Sequence, residues 1–488
     1  MSKKEKKKQL QEKETLPKEH IPLKVKVNFG FGAMANALLQ GLVFANITFY
    51  YVEKVGANPE LIGIGWLIFG FWNVINDPIA SYFIDNTRTK IGRRIPFIRY
   101  GSFFYGLAFI FCWFPLWSTP LGLFFNFILV LFFLDTMFTI VGCCFFCLPN
   151  EIALTAQGRA ELSIFTSIFN FVAIALGFVI PIVFLTGQNG IHPVFLPLMV
   201  IIGIGGALTL FITSYGLKEN MFAQMQKKQG FLEGLTLTLK NKAFWIFMIP
   251  AFCIALVLPV LQTGILYYID YIITGQNVTY LIISLMCGVV LGFTVTLYKI
   301  DDLGPKITMM ANLALISVGF IILYFIGFSA ILASIPGFIL GIGLSGALIS
   351  QAVVMGDVID NDELITGNRR EAIYGGVNAI VTKYPISLAN WLFLTVIVIF
   401  GFKTPEIIDG ISYKQPQTEL ALIGIMVAFC LIPGILLGIS AIAMKFYPLA
   451  GEEWTQKKKY LMELHDKKEQ KYLKKLQEQG KLKIRESG

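Results

Sequence analysis

The sequence predicts an all-α polytopic membrane protein with about 12 transmembrane helices in two sets of six. Three observations carry that expectation. Only 15% of the 488 residues are charged and 55% are hydrophobic, against roughly 25% charged in soluble domains. Apolar runs of about 20 residues, enough for a helix to cross a bilayer, recur along the whole chain. Basic residues gather in the tails and in alternate short loops, the pattern that orients membrane proteins. That distribution also excludes a nucleic-acid reading of the +9 net charge, because the cations form no single patch.

In order, the spans fall near 27–52, 60–84, 97–117, 120–147, 161–186 and 193–215, then near 243–273, 278–299, 307–328, 330–355, 372–402 and 417–446. This divides the chain into a basic tail (1–26), a first bundle (27–217), a polar linker (218–242), a second bundle (243–446) and a basic tail (447–488). The N-terminus, MSKKEKKKQLQEKETLPKEH, has no apolar core and reads as a tail, not a signal peptide. If Lys3–Lys8 lies inside, the cation-rich loops at Arg88–Arg94, Arg159, Lys218–Lys242, Lys299–Lys306 and Arg369–Arg370 all lie inside too. Both termini are then cytoplasmic, in a plasma-membrane protein expected to be a monomer. Lys403 and Lys414 run against the count, in a loop that also holds Glu406, Asp409 and Glu419. A faint repeat pairs the loop DNTRTKIGRR with YKIDDLGPK, each at the same place in its set; repeated halves suit a secondary transporter. In the last tail, Leu461, Leu464, Tyr472, Leu473 and Leu476 either line a basic helix on the anionic leaflet or belong to a solvated segment.

The chemistry of enzymes is hard to find. All seven cysteines lie in apolar runs, where cysteine behaves as a small hydrophobe, and Cys144–Cys147 has no second pair to complete a metal site. The three histidines fall outside the spans. No nucleophile–base pair, phosphate loop or zinc signature appears, so no catalytic residue, metal or cofactor is expected.

The informative residues are charges where charge is costly. A carboxylate near the bilayer centre costs several kcal/mol on insertion scales, so each calls for a partner or a function. Asp77 sits in FGFWNVINDPIASYFID with Asn73 one turn earlier, Asn76 adjacent and Pro78 freeing a carbonyl one turn back. An acid, amides and an open carbonyl suit a small hard cation or a proton; the alternative is a structural carboxylate in a hydrogen-bond network. Lys383 lies about three turns into the eleventh span, and Asp77 is its leading partner. Asn378 and Thr382 share a helix face near it. Asp135 is a third deep charge, with Gly142 two turns along the same face. Asp270 is placed near the outer surface, either gating or snorkelling.

Where the second span ends, Asp85 stands with Arg88, Arg93 and Arg94; these read as orienting charge and a gating latch. Asp357, Asp360, Asp362 and Glu363 close the tenth helix before Arg369 and Arg370, an expected cytoplasmic ion-pair cluster together with Arg159. The same acids superficially resemble the magnesium cluster of an intramembrane prenyltransferase. Basic residues following at once, and about twelve helices, argue against that reading.

Three motifs in order, NDP with DNTRTKIGRR at 76–94, LPNEIALTAQGRAEL at 148–162 and GDVIDNDELITGNRREAIYGG with Lys383 at 356–383, resemble the glycoside-pentoside-hexuronide:cation symporter family (melibiose permease-like) of the major facilitator superfamily. The resemblance runs from about Val27 to Tyr447. It implies the major facilitator fold, two six-helix bundles about a central cavity that opens alternately to each side, and symport of a small solute with H+ or Na+. Asp77 matches the family's cation-site aspartate and Lys383 its lysine of the eleventh helix. Other positions depart: the second cation-site acid is Asn73, and the first-helix sugar acid falls on Ala37 beside Asn36. The fourth-helix acid and tryptophan become Gly142 and Phe146, and the fifth-helix arginine becomes Ser167. A deleted acceptor leaves a donor unpaired at roughly 1–3 kcal/mol, so the cavity is expected to be less polar than a galactoside site, with Asp135 as a displaced acceptor.

The expected protein is thus a cation-coupled symporter of a sugar or glycoside. Asp77, Asn73 and Lys383 would form its coupling site, and Asn36, Asp135, Gly142, Phe146, Asn378 and Thr382 its substrate cavity. A lysophospholipid symporter and a passive facilitator are the alternatives.

Overall fold

The computed structural model describes residues 21–89, 91–153, 156–217, 241–367 and 370–478, so the linker and the extreme tails lie outside the described residues. The first six helices are α1 (Leu23–Phe49), α2 (Pro59–Asn86), α3 (Ile95–Phe111), α4 (Pro120–Ile152), α5 (Ala156–Leu185) and α6 (Phe195–Gly216). The second six are α7 (Lys242–Tyr267), α8 (Thr279–Leu303), α9 (Pro305–Ile326), α10 (Ala330–Thr366), α11 (Glu371–Ile399) and α12, which runs Glu419–Met426, makes a π turn at Val427–Leu431 and resumes at Ile432–Ala443. A polar helix, α13 (Gly451–Glu478), follows. Ten of the described helices, counted through their π turns, are long and apolar enough to cross a membrane, and α3 is a shorter apolar one. The remaining helix of the two six-helix sets, α2, has 28 residues but is interrupted by Asn73, Asn76 and Asp77.

Helix starts follow local chemistry. Asn58, Thr119, Asn241 and Thr418 accept backbone N–H groups at the first turns of α2, α4, α7 and α12, relieving donors that lipid cannot satisfy. The tenth helix is longer than its apolar run. Hydropathy falls away near 355, but α10 continues to Thr366, because polar residues can extend a helix beyond the bilayer without breaking it.

Within the first half, α1 packs on α5 and α6, and α4 on α2 and α3; within the second, α10 packs on α8 and α9. The α8–α10 crossing is backbone to backbone. A Cβ on Gly341 would meet the Leu285 carbonyl, and one on Gly288 would meet that of Phe338. Without a hydrophobic force between helices in lipid, this close approach supplies the packing energy. Gly341→Leu is therefore expected to force α8 and α10 apart and lower the thermal midpoint by several degrees, or abolish folded yield, in detergent; a wild-type melting curve would refute that packing.

One element was not anticipated. Between α11 and α12, β1 (Glu406–Ile408) pairs antiparallel with β2 (Ile411–Tyr413). Asp409 and Gly410 form its turn with φ of 51° and 78°, the conformation that Asp-Gly favours in two-residue hairpins. The IIDGIS stretch carried that signal.

The halves meet along α2–α11 and α1–α7. Because α1 begins and α12 finishes at one end of the bundle, that is the termini-bearing end; the hairpin lies at the other, distal end.

Candidate functional site

Asp77 and Lys383 meet across the seam between the halves. The Lys383 ammonium lies 2.5 Å from Asp77 Oδ1, with side-chain exposures of 21% and 28% respectively. Two features of the sequence put them there. Gly70 lets α11 approach through Ser387 and Tyr384, and Gly63 does the same for Trp391, so α2 and α11 run close enough for Asp77, about two turns beyond Gly70, to pair with Lys383. Lys383 also reaches the Asn73 carbonyl at 3.5 Å. Asn73, expected to contribute its amide, meets the ammonium through its backbone instead.

Behind Asp77 lies a hydrogen-bond chain that sequence reasoning missed in part. The Thr139 hydroxyl donates to Asp77 Oδ1 at 3.2 Å. The Asn76 amide donates to Thr139 Oγ1 at 3.1 Å and to Asp135 Oδ2 at 2.9 Å. Asp135 is only 1% exposed. It is held by Asn76 within the α2–α4 packing, not presented as a free acceptor lining an open cavity.

The other cavity candidates are arranged differently from one another. Asn36 on α1 and Asn378 on α11 each carry a buried side-chain oxygen without a hydrogen-bond partner among the described residues, as does Asn170 on α5. A Cβ on Gly142 would lie 3.6 Å from Asn36 Nδ2. Phe146, one turn beyond Gly142, is 85% exposed. The Thr382 hydroxyl donates to the Asn378 carbonyl of its own helix, which satisfies it locally.

Distal to the charged pair, an uncharged cluster ties the halves together. Asn390 Oδ1 accepts from Thr48 and Thr263 at 3.0 Å each, and Trp66 Nε1 donates to Thr48 Oγ1 at 2.8 Å. Beyond it is a buried charged layer. Glu53 and Lys54, which the sequence places in a loop, are 1% and 4% exposed in the π turn that ends α1. Glu53 accepts from Tyr271 of the second half, and its carbonyl accepts from Ser412 in the hairpin. Asp270 neither snorkels nor faces water: it is 2% exposed. It accepts the Gly187 N–H at 2.6 Å and pairs with Lys414 at 2.6 Å. Lys414, an exception to the loop charge pattern, is thereby explained.

At the termini-bearing end, Arg370 forms a buried ion pair with Asp362, its Nε 2.8 Å from Oδ2. Asp357 is paired with Lys458 of α13 at 2.5 Å. Trp454 and Leu461 of α13 are buried, so the first turns of this tail helix dock on the protein. Asp360, Arg93 and Arg94 are engaged with partners, and Arg88 is exposed. Arg369 lies outside the described residues, as do the side chains of Asp85 and Arg159.

Two six-helix sets meeting at a charged, polar seam within apolar helices are the architecture of a polytopic membrane transporter. The chain belongs to the MFS/sugar transport protein family, whose match spans residues 28–451. It is 22% identical over 446 residues to the isoprimeverose transporter of Lactiplantibacillus pentosus, covering 88% of this chain and 89% of that protein. It is 21% identical over 256 residues to the putative glycoside/cation symporter YagG of Escherichia coli (strain K12), a match spanning 52% of this chain and about half, 55%, of that protein. In fold it resembles the inward open conformation of the xylose transporter XylE from E. coli, with a TM-score of 0.59 at 12% identity, covering 87% of this chain and 96% of that one.

Proposed function

We propose that this chain is a symporter that moves a sugar or glycoside with a proton or a sodium ion by alternating access. The observation that carries the reading is the Asp77–Lys383 ion pair between the halves. Relatives named as a glycoside/cation symporter and as an isoprimeverose transporter support the substrate class.

In the empty carrier Lys383 neutralises Asp77. A cation entering at Asp77, beside Asn73, displaces the ammonium and loosens the α2–α11 seam. Substrate then bridges the halves through Asn36 on one side and Asn378 on the other, whose unpartnered oxygens accept sugar hydroxyls; an acceptor left unsatisfied costs about 1–3 kcal/mol. Gly142, Phe146 and Thr382 line the same space. Only with both ligands in place is the seam free to rearrange, so transport is coupled.

The polar contacts that join the halves run from Asp77–Lys383 to the distal end. This state is read as distally closed and accessible from the termini-bearing end, which the basic loops place in the cytoplasm. The Asp362–Arg370 and Asp357–Lys458 pairs, both within the second half, brace its cytoplasmic end as the halves move. A monomer in the plasma membrane suffices for this cycle.

Uptake by proteoliposomes of a radiolabelled panel of pentosides, glucuronides and lysophospholipids, under separate sodium and proton gradients, tests the proposal. Accumulation of a sugar or glycoside above equilibrium under one gradient is expected. Gradient-independent equilibration would instead make the protein a facilitator, and selective lysolipid uptake would overturn the substrate class.

A further inference from the structure

A coupling site with one carboxylate faces a problem of charge. Asp77 and Lys383 cancel each other in the empty carrier. When a monovalent cation occupies Asp77, the ammonium is left without a counter-charge inside the membrane, where an unpaired charge costs several kcal/mol. A second acid would remove the difficulty, and Asn73 stands where the resemblance leads one to expect it.

The structure holds such an acid on another helix. Asp135 of α4 is 1% exposed and connects to Asp77 by a hydrogen-bond chain that donates outward from Asn76 and ends on an accepting carboxylate at each side. The two Asn76 amide hydrogens go to Asp135 Oδ2 and Thr139 Oγ1, and the Thr139 hydrogen goes to Asp77 Oδ1. The titratable groups acting on Asp135 from neighbouring helices are Asp77 on α2, Tyr105 on α3 and Lys383 on α11. Lys383 is the one cation among them.

We propose that Asp135 is the second carboxylate of the coupling site, supplying the counter-charge for Lys383 while a monovalent cation occupies Asp77. Two carboxylates, one ammonium and one cation sum to zero, so the loaded site is neutral without expelling Lys383 from the membrane, while the empty site carries one net negative charge that draws the cation in. Asn76 and Thr139 are positioning residues that hold the two acids in one network. The assignment rests on Asp77 being the cation-binding residue.

Thermal unfolding of the purified full-length protein in detergent tests it without needing a substrate. The midpoint is followed against NaCl, with choline chloride holding ionic strength constant, and separately against pH, so the two cations are distinguished. Asp135→Asn, which keeps an acceptor for Asn76 but removes the charge, is expected to weaken the wild-type response at least about tenfold in half-maximal cation concentration, one pH unit for protons. Asp135→Glu is expected to restore most of it. Thr139→Val, which cuts the chain between the acids while leaving both carboxylates in place, carries the test if Asp135→Asn fails to fold, with a rise of about threefold or more expected. An unchanged response in Asp135→Asn, or in Thr139→Val where it stands in, while Asp77→Asn abolishes the response, would overturn this inference alone. A response that survives Asp77→Asn, or is missing from the wild type, would overturn the Asp77 reading along with it.

Discussion

Asp77→Asn is expected to end gradient-driven accumulation and to destabilise the protein, while the charge-balanced pair Asp77→Asn/Lys383→Met restores stability without restoring coupling. The single substitution removes the anion and strands Lys383, whose side chain is 21% exposed. Breaking a fully buried pair in this way costs about 3–5 kcal/mol, and partial exposure reduces this to about 1–3 kcal/mol here. Replacing both partners by neutral groups is often close to neutral, so the double variant should melt within a few degrees of wild type. Its seam then lacks the carboxylate at which the cation binds, and uptake should only equilibrate. Proteoliposome uptake and melting curves on the three proteins check this. Wild-type accumulation by Asp77→Asn would refute coupling through this residue. A double variant as unstable as the single one would show that the loss comes from something other than the stranded ammonium.

Asp270→Ala is expected to open the distal end. Its side chain is fully buried, and it binds the Lys414 ammonium and, across the seam, the Gly187 N–H. Removal leaves a cation and an amide uncompensated together, at about 3–5 kcal/mol. A conformational equilibrium biased by that much shifts by roughly a hundredfold or more. Spin labels at Glu60 and Tyr280, exposed positions near the distal ends of α2 and α8, should report longer separations in Asp270→Ala than in wild type. An unchanged distance distribution would show that the hairpin and the Thr48–Asn390–Thr263 cluster hold the seal without this pair.

Much of this was legible from the chain because a bilayer imposes few solutions. A run of apolar residues long enough to cross must be a helix, and each of the twelve spans appears within a few residues of its expected place, except that α10 continues about three turns further. The pairing of Asp77 with Lys383 followed from cost, since a lone ammonium in an apolar helix demands a carboxylate and few are deep enough. Uncharged polar residues give no such signal. Thr136 and Thr139 lie in the same short stretch, yet Thr136 donates to its own helix at Phe132 while Thr139 bridges to Asp77. A hydroxyl that can satisfy itself one turn back looks the same in sequence as one that joins two helices. Glu53 and Lys54 were obscured for another reason: at the end of an apolar run a charge reads as solvated, and only the docking of the second half and the hairpin buries it.

By itself the sequence determined the membrane class, the order of the helices, the end at which each loop emerges and the two charges that must find each other. These follow from transfer energies along one segment at a time. The tertiary structure alone decided that Asp135 belongs with Asp77 through Asn76 and Thr139, and that Asp270 is a buried tie between the halves. Both depend on which helix faces stand opposite one another, and that is set by packing between segments far apart in the chain, which no single segment encodes.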